Sequence, residues 1–281
     1  MKIAVTAASG QLGHAIVHAT VALIGHDNVI GIARTPAKAQ DLGVEVRQGT
    51  YDDPAEMQKA LTDVDCVLLV SGMDAPDKRI VQHRNVIEAA RAAGVKKIVY
   101  TSVQGPEEGT AFSPIVQSNR HTEVDLKASG LDWVVGRNGI YIEPDVEYID
   151  KYKAKGEIAN SAGNGKCGYT TRAELAFAYA RLLTGSDHDG RIVNLNGKPI
   201  TQAQLTELLN SAFGVQLSYR VMSSAEYVEE RIAELGPFLG TIIAGIYDGI
   251  RLGAYDSPGD FETVVGRPHQ SWESYSRSLQ S

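Results

Sequence analysis

Thr6-Ala7-Ala8-Ser9-Gly10-Gln11-Leu12-Gly13 lies between a short β-branched run, Ile3–Thr6, and an amphipathic stretch, Leu12–Leu23. Strand, glycine turn and helix in that order suit a pyrophosphate. Glycines let the backbone approach the phosphates and let the helix pack close to the strand, and the helix N-terminus adds free N–H groups and the positive end of its dipole. Thr6, Ser9, Gly10, Gln11, Leu12 and Gly13 are therefore candidate dinucleotide ligands. An ordinary tight turn can carry the same glycines, so the decision rests on what surrounds them.

Further apolar runs recur downstream, at Val29–Ala33, Val44–Arg47, Cys66–Val70, Ile98–Thr101, Trp133–Val135 and Ile192–Leu195. They alternate with helix-like segments at Pro54–Leu61, Lys78–Ala93, Arg120–Ala128 and Arg172–Leu183. Runs apolar on both faces suit strands covered from both sides, and the alternation predicts an α/β fold with a doubly wound parallel sheet of Rossmann type. Gly94-Val95 and Gly130-Leu131 fit helix ends closed by a left-handed glycine. After residue 139 the rhythm changes, through an irregular Tyr/Glu/Asp-rich stretch (Tyr141–Tyr152) and the turn Gly163-Asn164-Gly165-Lys166. From Thr201 onward the pattern is mostly helical, with one strand expected at Gln216–Val221. The expected division is a dinucleotide-binding domain of residues 1–139 plus about 168–198, and a smaller lobe of about 140–167 plus 199–281 that covers the substrate.

Composition narrows the function classes. The chain has 281 residues, 27 basic against 34 acidic, a net charge of −7. That balance argues against a nucleic-acid partner. Cys66 and Cys167 are too few and too distant for a disulfide framework or a cysteine zinc site, and the scattered histidines assemble no metal set. No stretch reaches the roughly 18 apolar residues of a membrane span, and no export signal is visible, so a reducing cytoplasm is expected. The sequence leaves the oligomeric state open.

About 20 residues past the glycine turn, an acid would bond the adenosine ribose and reject a 2′-phosphate. That place reads Gly31-Ile32-Ala33-Arg34-Thr35, without an acid. Arg34 offers a guanidinium fork for a phosphate, and Lys38, one helical turn on, adds a second cation. NADP(H) is thus expected over NAD(H).

Beyond these readings the chain resembles the NmrA-like, atypical branch of the short-chain dehydrogenase/reductases, and within it the type 2 NAD(P)H:quinone oxidoreductases and triphenylmethane reductases. The resemblance rests on Arg34-Thr-Pro-Ala-Lys38-Ala, Gln82-His-Arg-Asn-Val-Ile87, Ala93-Gly-Val-Lys96, Tyr100-Thr-Ser102, Arg137-Asn-Gly-Ile-Tyr141 and Thr171-Arg172 as well as the opening turn. One departure is Ala7, where that branch has glycine. A methyl group there limits positive φ and puts cofactor affinity in question. The resemblance implies that Thr50 and Tyr51 meet the adenine side. It also implies that Ser71, Gly72, Thr101, Ser102 and Asn138 line the nicotinamide end, with Asn138 and Tyr141 acting on the acceptor. The competing reading makes Thr101-Ser102 a pair that satisfies turn backbone groups and Asn138-Gly139 an ordinary turn pair.

Most of the wider superfamily uses Tyr-x-x-x-Lys to move a proton to or from the substrate oxygen. None of the twelve tyrosines has lysine four residues later, and Ile115 and Asn119 fall at the corresponding places. This disfavours alcohol dehydrogenase or epimerase chemistry. It fits an NADPH-dependent reductase of a quinone or similar planar aromatic acceptor, which takes hydride without a proton relay. A non-catalytic NADP(H) sensor of the NmrA type is the alternative, and an isomerase or dehydratase a third. Among neighbouring residues, His121 reads as an ordinary helix histidine, Glu123 as a solvated partner of Arg120, and Phe238–Ile250 as an apolar helix face.

Overall fold

The computed structural model describes residues 1–280. Its strands are β1 (Ile3–Val5), β2 (Val29–Ala33), β3 (Glu45–Gln48), β4 (Cys66–Leu69), β5 (Lys97–Val103), β6 (Asp132–Asn138), β7 (Ile140–Tyr141), β8 (Glu157–Asn160), β9 (Lys166–Cys167), β10 (Tyr169–Thr170), β11 (Ile192–Leu195), β12 (Ile200–Thr201) and β13 (Ser218–Val221). Its helices are α1 (Gln11–Ile24), α2 (Pro54–Ala60), α3 (Pro76–Ala92), α4 (Ser113–Lys127), α5 (Glu143–Glu147), α6 (Ile149–Lys155), α7 (Arg172–Thr184), α8 (Gln202–Phe213), α9 (Ser224–Leu235), α10 (Pro237–Arg251), α11 (Phe261–Val265) and α12 (Trp272–Ser278).

Seven strands form one parallel sheet in the order β11-β6-β5-β4-β1-β2-β3. The chain moves outward from β1 to β3, then returns to the other side of β1 for β4. That reversal opens a crevice at the carboxyl ends of β1 and β4, where the glycine turn lies. Successive strand residues point to opposite faces, and both faces are covered. Ile3, Val5, Leu68 and Val99 pack with Ile16 and Val17 of α1 and Leu175 and Tyr179 of α7. Ala4, Val67, Leu69 and Ile98 pack with Met57 of α2, Val86 of α3 and Leu126 of α4. Burying each such aliphatic side chain is worth about 1.5–3 kcal/mol, which is why the period-two apolar runs became strands. Cys66 belongs to the first of these layers, and burial pushes its thiol up to about 12.

Two expected elements differ. β3 is not covered on both faces: it is the sheet's edge, with Glu45 and Gln48 exposed and Arg47 bonded to Glu45 and to the carbonyls of Ala60 and Thr62. Such charge on an edge strand discourages pairing with another chain. α4 begins at Ser113 rather than Arg120, because Pro114 at its first turn presets the helical φ.

Beyond β6, the Tyr141–Tyr152 stretch is ordered as β7, α5 and the first turn of α6. Ile142, Ile158, Cys167 and Tyr169 share a third core with Leu205, Leu209, Ile250, Tyr255 and Trp272. Gly165 sits against the end of α10, where a Cβ would lie 2.1 Å from the Ile250 carbonyl oxygen. The buried Asp145 carboxyl accepts hydrogen bonds from Tyr152 and Tyr247, and burial raises it to about 6. The expected strand at Gln216–Val221 is β13, which pairs in parallel with β8. No described helix is long and apolar enough to cross a membrane.

Candidate functional site

The glycine turn is held by its own backbone. Ala7 adopts φ +50°, so alanine occupies the left-handed region that glycine would enter without strain. Its carbonyl oxygen accepts the Gly10 N–H at 2.9 Å and lies where a Cβ on Gly13 would come within 2.4 Å. The methyl group of Ala7 therefore does not displace the turn; the close packing falls on Gly13 instead. No side chain caps α1 at Gly10 and its first turn holds no acid. The first-turn N–H groups, with Ser9 and Gln11 exposed beside them and Leu12 and Gly13 buried beneath, thus form an anion cradle of the kind a pyrophosphate needs.

Past the end of β2, Arg34 and Lys38 are both exposed, and neither cationic head bonds to any described residue. Lys38 sits in a 3-10 segment, Pro36–Leu42, rather than an α-helix. Two free cations at this strand end fit a 2′-phosphate. Thr50 is half-buried and its hydroxyl accepts the Asp52 N–H. Tyr51 donates its hydroxyl to the Val70 carbonyl at 2.8 Å and also pairs with Thr6 Oγ1. Thr6 is fully buried and accepts the Val70 N–H, so its side chain ties β1 to the end of β4.

At the ends of β4 and β5 the expected residues are bonded to the protein. Thr101 Oγ1 accepts the Ser71 N–H at 2.8 Å. Ser71 Oγ and Tyr100 Oη both donate to Asn119 Oδ1, at 3.0 and 2.6 Å, while Asn119 Nδ2 holds the Ile115 carbonyl. Asn119, standing where a relay lysine would fall, thereby anchors the loop after β4. Ile115 packs with Phe112 and Val116. Ser102 donates to Glu123, which also receives Arg120 and both a Nε and a Nη2 bond from Arg137. Glu123 is only 2% exposed, so it is not the solvated helix contact expected of it. Burial pushes its carboxyl up, but the bonds from Arg137 and Ser102 and the two guanidinium charges outweigh this and hold it below its ordinary value.

Asn138 is nearly buried at the end of β6. Tyr179 donates to its Oδ1 at 2.6 Å, and its Nδ2 reaches Tyr141 Oη at 3.5 Å. Tyr141 stacks under the Arg172 guanidinium at 5.3 Å, and burial raises its phenol. Asn138 and Tyr141 are thus adjacent, with the Asn138 amide oriented by Tyr179.

The residues missed from the sequence are on α3. Gly72 donates its N–H to His83 Nε2 at 2.9 Å, which requires an unprotonated Nε2; His83 Nδ1 therefore carries the proton and donates to Thr122 Oγ1 at 2.8 Å. Burial, then the Arg79 charge, pushes His83 down to about 3, so the imidazole stays neutral. The signal was available: Arg79, Gln82 and His83 fall at helical spacing on the stripe that carries Val86, Ile87 and Ala90, where polar residues are out of place. A depression of about 360 Å³, lined by Leu23 of α1, Phe177 and Arg181 of α7, and Val265, Gly266 and Arg267, includes none of these site residues.

A parallel sheet with an uncapped glycine turn at its switch point, and free cations beyond the next strand, defines a nicotinamide-dinucleotide-binding protein. The chain belongs to the NAD(P)H-binding family, whose model matches residues 7–185, and to its NmrA-like branch. It is 37% identical over 274 residues to quinone oxidoreductase 2 of Escherichia coli strain K12, spanning 95% of this chain and 94% of that protein. The crystal structure of the NADPH-dependent quinone oxidoreductase of E. coli complexed with NADPH matches with a TM-score of 0.92 at 32% identity, over 99% of this chain and 100% of the other. The Citrobacter sp. triphenylmethane reductase complexed with NADP(H) matches with a TM-score of 0.88 at 33% identity, over 98% of both chains.

Proposed function

We propose that this protein is an NADPH-dependent reductase that passes hydride to a quinone or a similar planar aromatic acceptor. The observation that carries this reading is the pair of unpaired cations, Arg34 and Lys38, beside the uncapped start of α1 in a chain whose α4 carries Ile115 and Asn119 in place of a proton relay. The likeness to quinone and dye reductases supports it. Bound NADPH supplies the hydride. The first-turn amides of α1, with Ser9, Gly10 and Gln11, hold the pyrophosphate, Arg34 and Lys38 hold the 2′-phosphate, and Thr50 and Tyr51 border the adenine. Ser71, Gly72, Thr101 and Ser102 position the nicotinamide end. Asn138 hydrogen-bonds a carbonyl and Tyr141 stacks on the acceptor ring. Residues 1–139 with about 168–198 form the dinucleotide-binding domain, and the remainder covers the acceptor. Rate then comes from placing two partners in contact and excluding water.

The test mixes purified protein with NADPH and a panel of benzoquinones, naphthoquinones and triarylmethane dyes while following absorbance at the NADPH band. Oxidation above buffer with at least one quinone is expected. Tight NADPH binding with no oxidation across the panel would replace the reductase by a sensor.

A further inference from the structure

Arg79, in the first turns of α3, is 5% exposed, and its side chain makes no hydrogen bond or ion pair with any described residue; Nε is fully enclosed and unpartnered. A buried guanidinium without an acceptor is costly, because its desolvation is not offset by pairing. Asp74, the carboxylate whose charge acts on Arg79, is already engaged, as are Asp52 and Glu123. Gln82 donates to both Asp52 and Asp74, Lys78 lies 3.7 and 3.5 Å from them, and Glu123 is held by Arg120 and Arg137. Side chains on a helix lean toward its N-terminus, and α3 starts just beyond Ser71-Gly72 at the carboxyl end of β4. Arg79 therefore leans toward the start of α3 and the carboxyl end of β4, one turn ahead of His83, whose ring binds the Gly72 amide. Its charge acts on His83, and Tyr100 and Asp74 act on it in turn.

We infer that Arg79 is an acceptor-side anion site: its guanidinium takes the oxygen of the acceptor that becomes negative as hydride arrives. This rests on the reductase reading above and narrows it to acceptors that gain negative charge on oxygen. A quinone takes hydride, two electrons with one proton, and the electron pair ends on a ring oxygen as a phenolate; a solvent proton then gives the hydroquinone, and NADP+ is left. A triarylmethane cation takes the same hydride at its central carbon and becomes neutral, with no oxyanion to stabilise. The buried positive charge assists the first reaction and repels the second substrate. Arg79 thus sets the choice between neutral quinones and cationic dyes.

The experiment compares wild type with Arg79→Met and Arg79→Lys in three readings: kcat/KM for a naphthoquinone, kcat/KM for a cationic triarylmethane dye, and NADPH affinity by fluorescence. A fourth, without turnover, is the affinity of the NADP+ complex for a hydroxynaphthoquinone that is anionic at neutral pH. Arg79→Met is expected to lower quinone kcat/KM about 10- to 100-fold, the loss of one charge-assisted hydrogen bond. The same variant leaves the dye constant equal or higher, keeps NADPH affinity within twofold and weakens the anionic ligand about tenfold. Arg79→Lys, which keeps the charge, recovers part of the quinone rate and guards against a misfolded methionine variant. Equal loss with both acceptors in both variants would reduce Arg79 to a structural role, and loss of NADPH affinity in proportion would assign it to the cofactor's phosphates; either overturns the inference. A wild type inactive with every quinone overturns the reductase reading and this one together, whereas an active wild type matched by both variants overturns this one alone.

Discussion

Arg34 and Lys38, on the β2 side of the crevice, are exposed and bonded to nothing, whereas Thr6, Thr101, Ser102, Asn119 and Asn138, around β1, β5 and β6, are almost fully buried and bonded to other protein groups. The two sides meet ligand in different ways. The first offers charges that wait for a partner, so removing one should change affinity and little else. The second is a finished network whose parts hold backbone in place, so removing one should change stability or geometry before it changes any direct contact. Gly13, beneath the turn that joins the two sides, belongs to neither and should be the most sensitive position.

Gly13→Ala tests that first. Its methyl would lie 2.4 Å from the Ala7 carbonyl oxygen and 2.9 Å from the Ala7 carbonyl carbon, both backbone atoms that cannot swing aside. The turn must open, and NADPH binding should fall below detection by calorimetry, with thermal stability reduced as well. Binding within tenfold of wild type would show that the turn has slack that the packing does not reveal.

Arg34→Ala probes the exposed side. Removing a charged hydrogen bond to a phosphate costs about 1.5–3 kcal/mol, so NADPH should weaken about 10- to 100-fold while NADH changes less than twofold. The melting temperature without ligand should not move, because Arg34 holds nothing in the fold. Equal weakening of the two nucleotides would break the assignment.

His83 probes the buried side, by pH. Its folded value is about 3 against an ordinary 6.5, so the unfolded chain binds a proton that the folded one refuses between those values. The stability due to a neutral His83 is complete above 6.5 and is lost as pH falls toward 3, at up to about 1.4 kcal/mol per pH unit. Between pH 7.5 and 5, denaturant unfolding of wild type should lose about 2 kcal/mol more than His83→Gln, which cannot titrate. Parallel curves for the two proteins would mean that the folded imidazole titrates close to its ordinary value and that the Gly72 bond does not hold it neutral.

The same contrast explains what could be read from the residues alone. The run at Val29–Ala33 became β2 with those bounds because burial on both faces leaves a continuous apolar signature, and Ile192–Leu195 became the edge strand β11, where only Val193 and Leu195 are buried. Arg34 and Lys38 stand exposed just past the end of β2, as their place after an apolar run indicates. His83 and Asn119 were not legible, since their roles depend on atoms far along the chain: the Gly72 amide, the Thr122 hydroxyl, the Ser71 hydroxyl and Tyr100. Glu123 was misjudged for the same reason, since Arg137 and Ser102 reach it from β6 and β5. Local spacing shows a helix pair such as Arg120 with Glu123; it does not show what the neighbouring strands bring.

Ala7→Gly is the smallest test, and it asks whether the turn is strained at all. Alanine at φ +50° carries about 1–2 kcal/mol of left-handed strain, while glycine adds back about 0.5–1 kcal/mol of unfolded-state entropy. The net gain in stability should be about 0.5–1 kcal/mol, read as a higher denaturant midpoint at unchanged slope. NADPH affinity should change by less than threefold, because the Ala7 carbonyl already bonds the Gly10 amide and the turn has the shape glycine would give it. A tenfold gain in affinity would instead mean that the methyl group stands in the phosphate's way, and the exposed side of the crevice would then be incompletely fitted to its ligand.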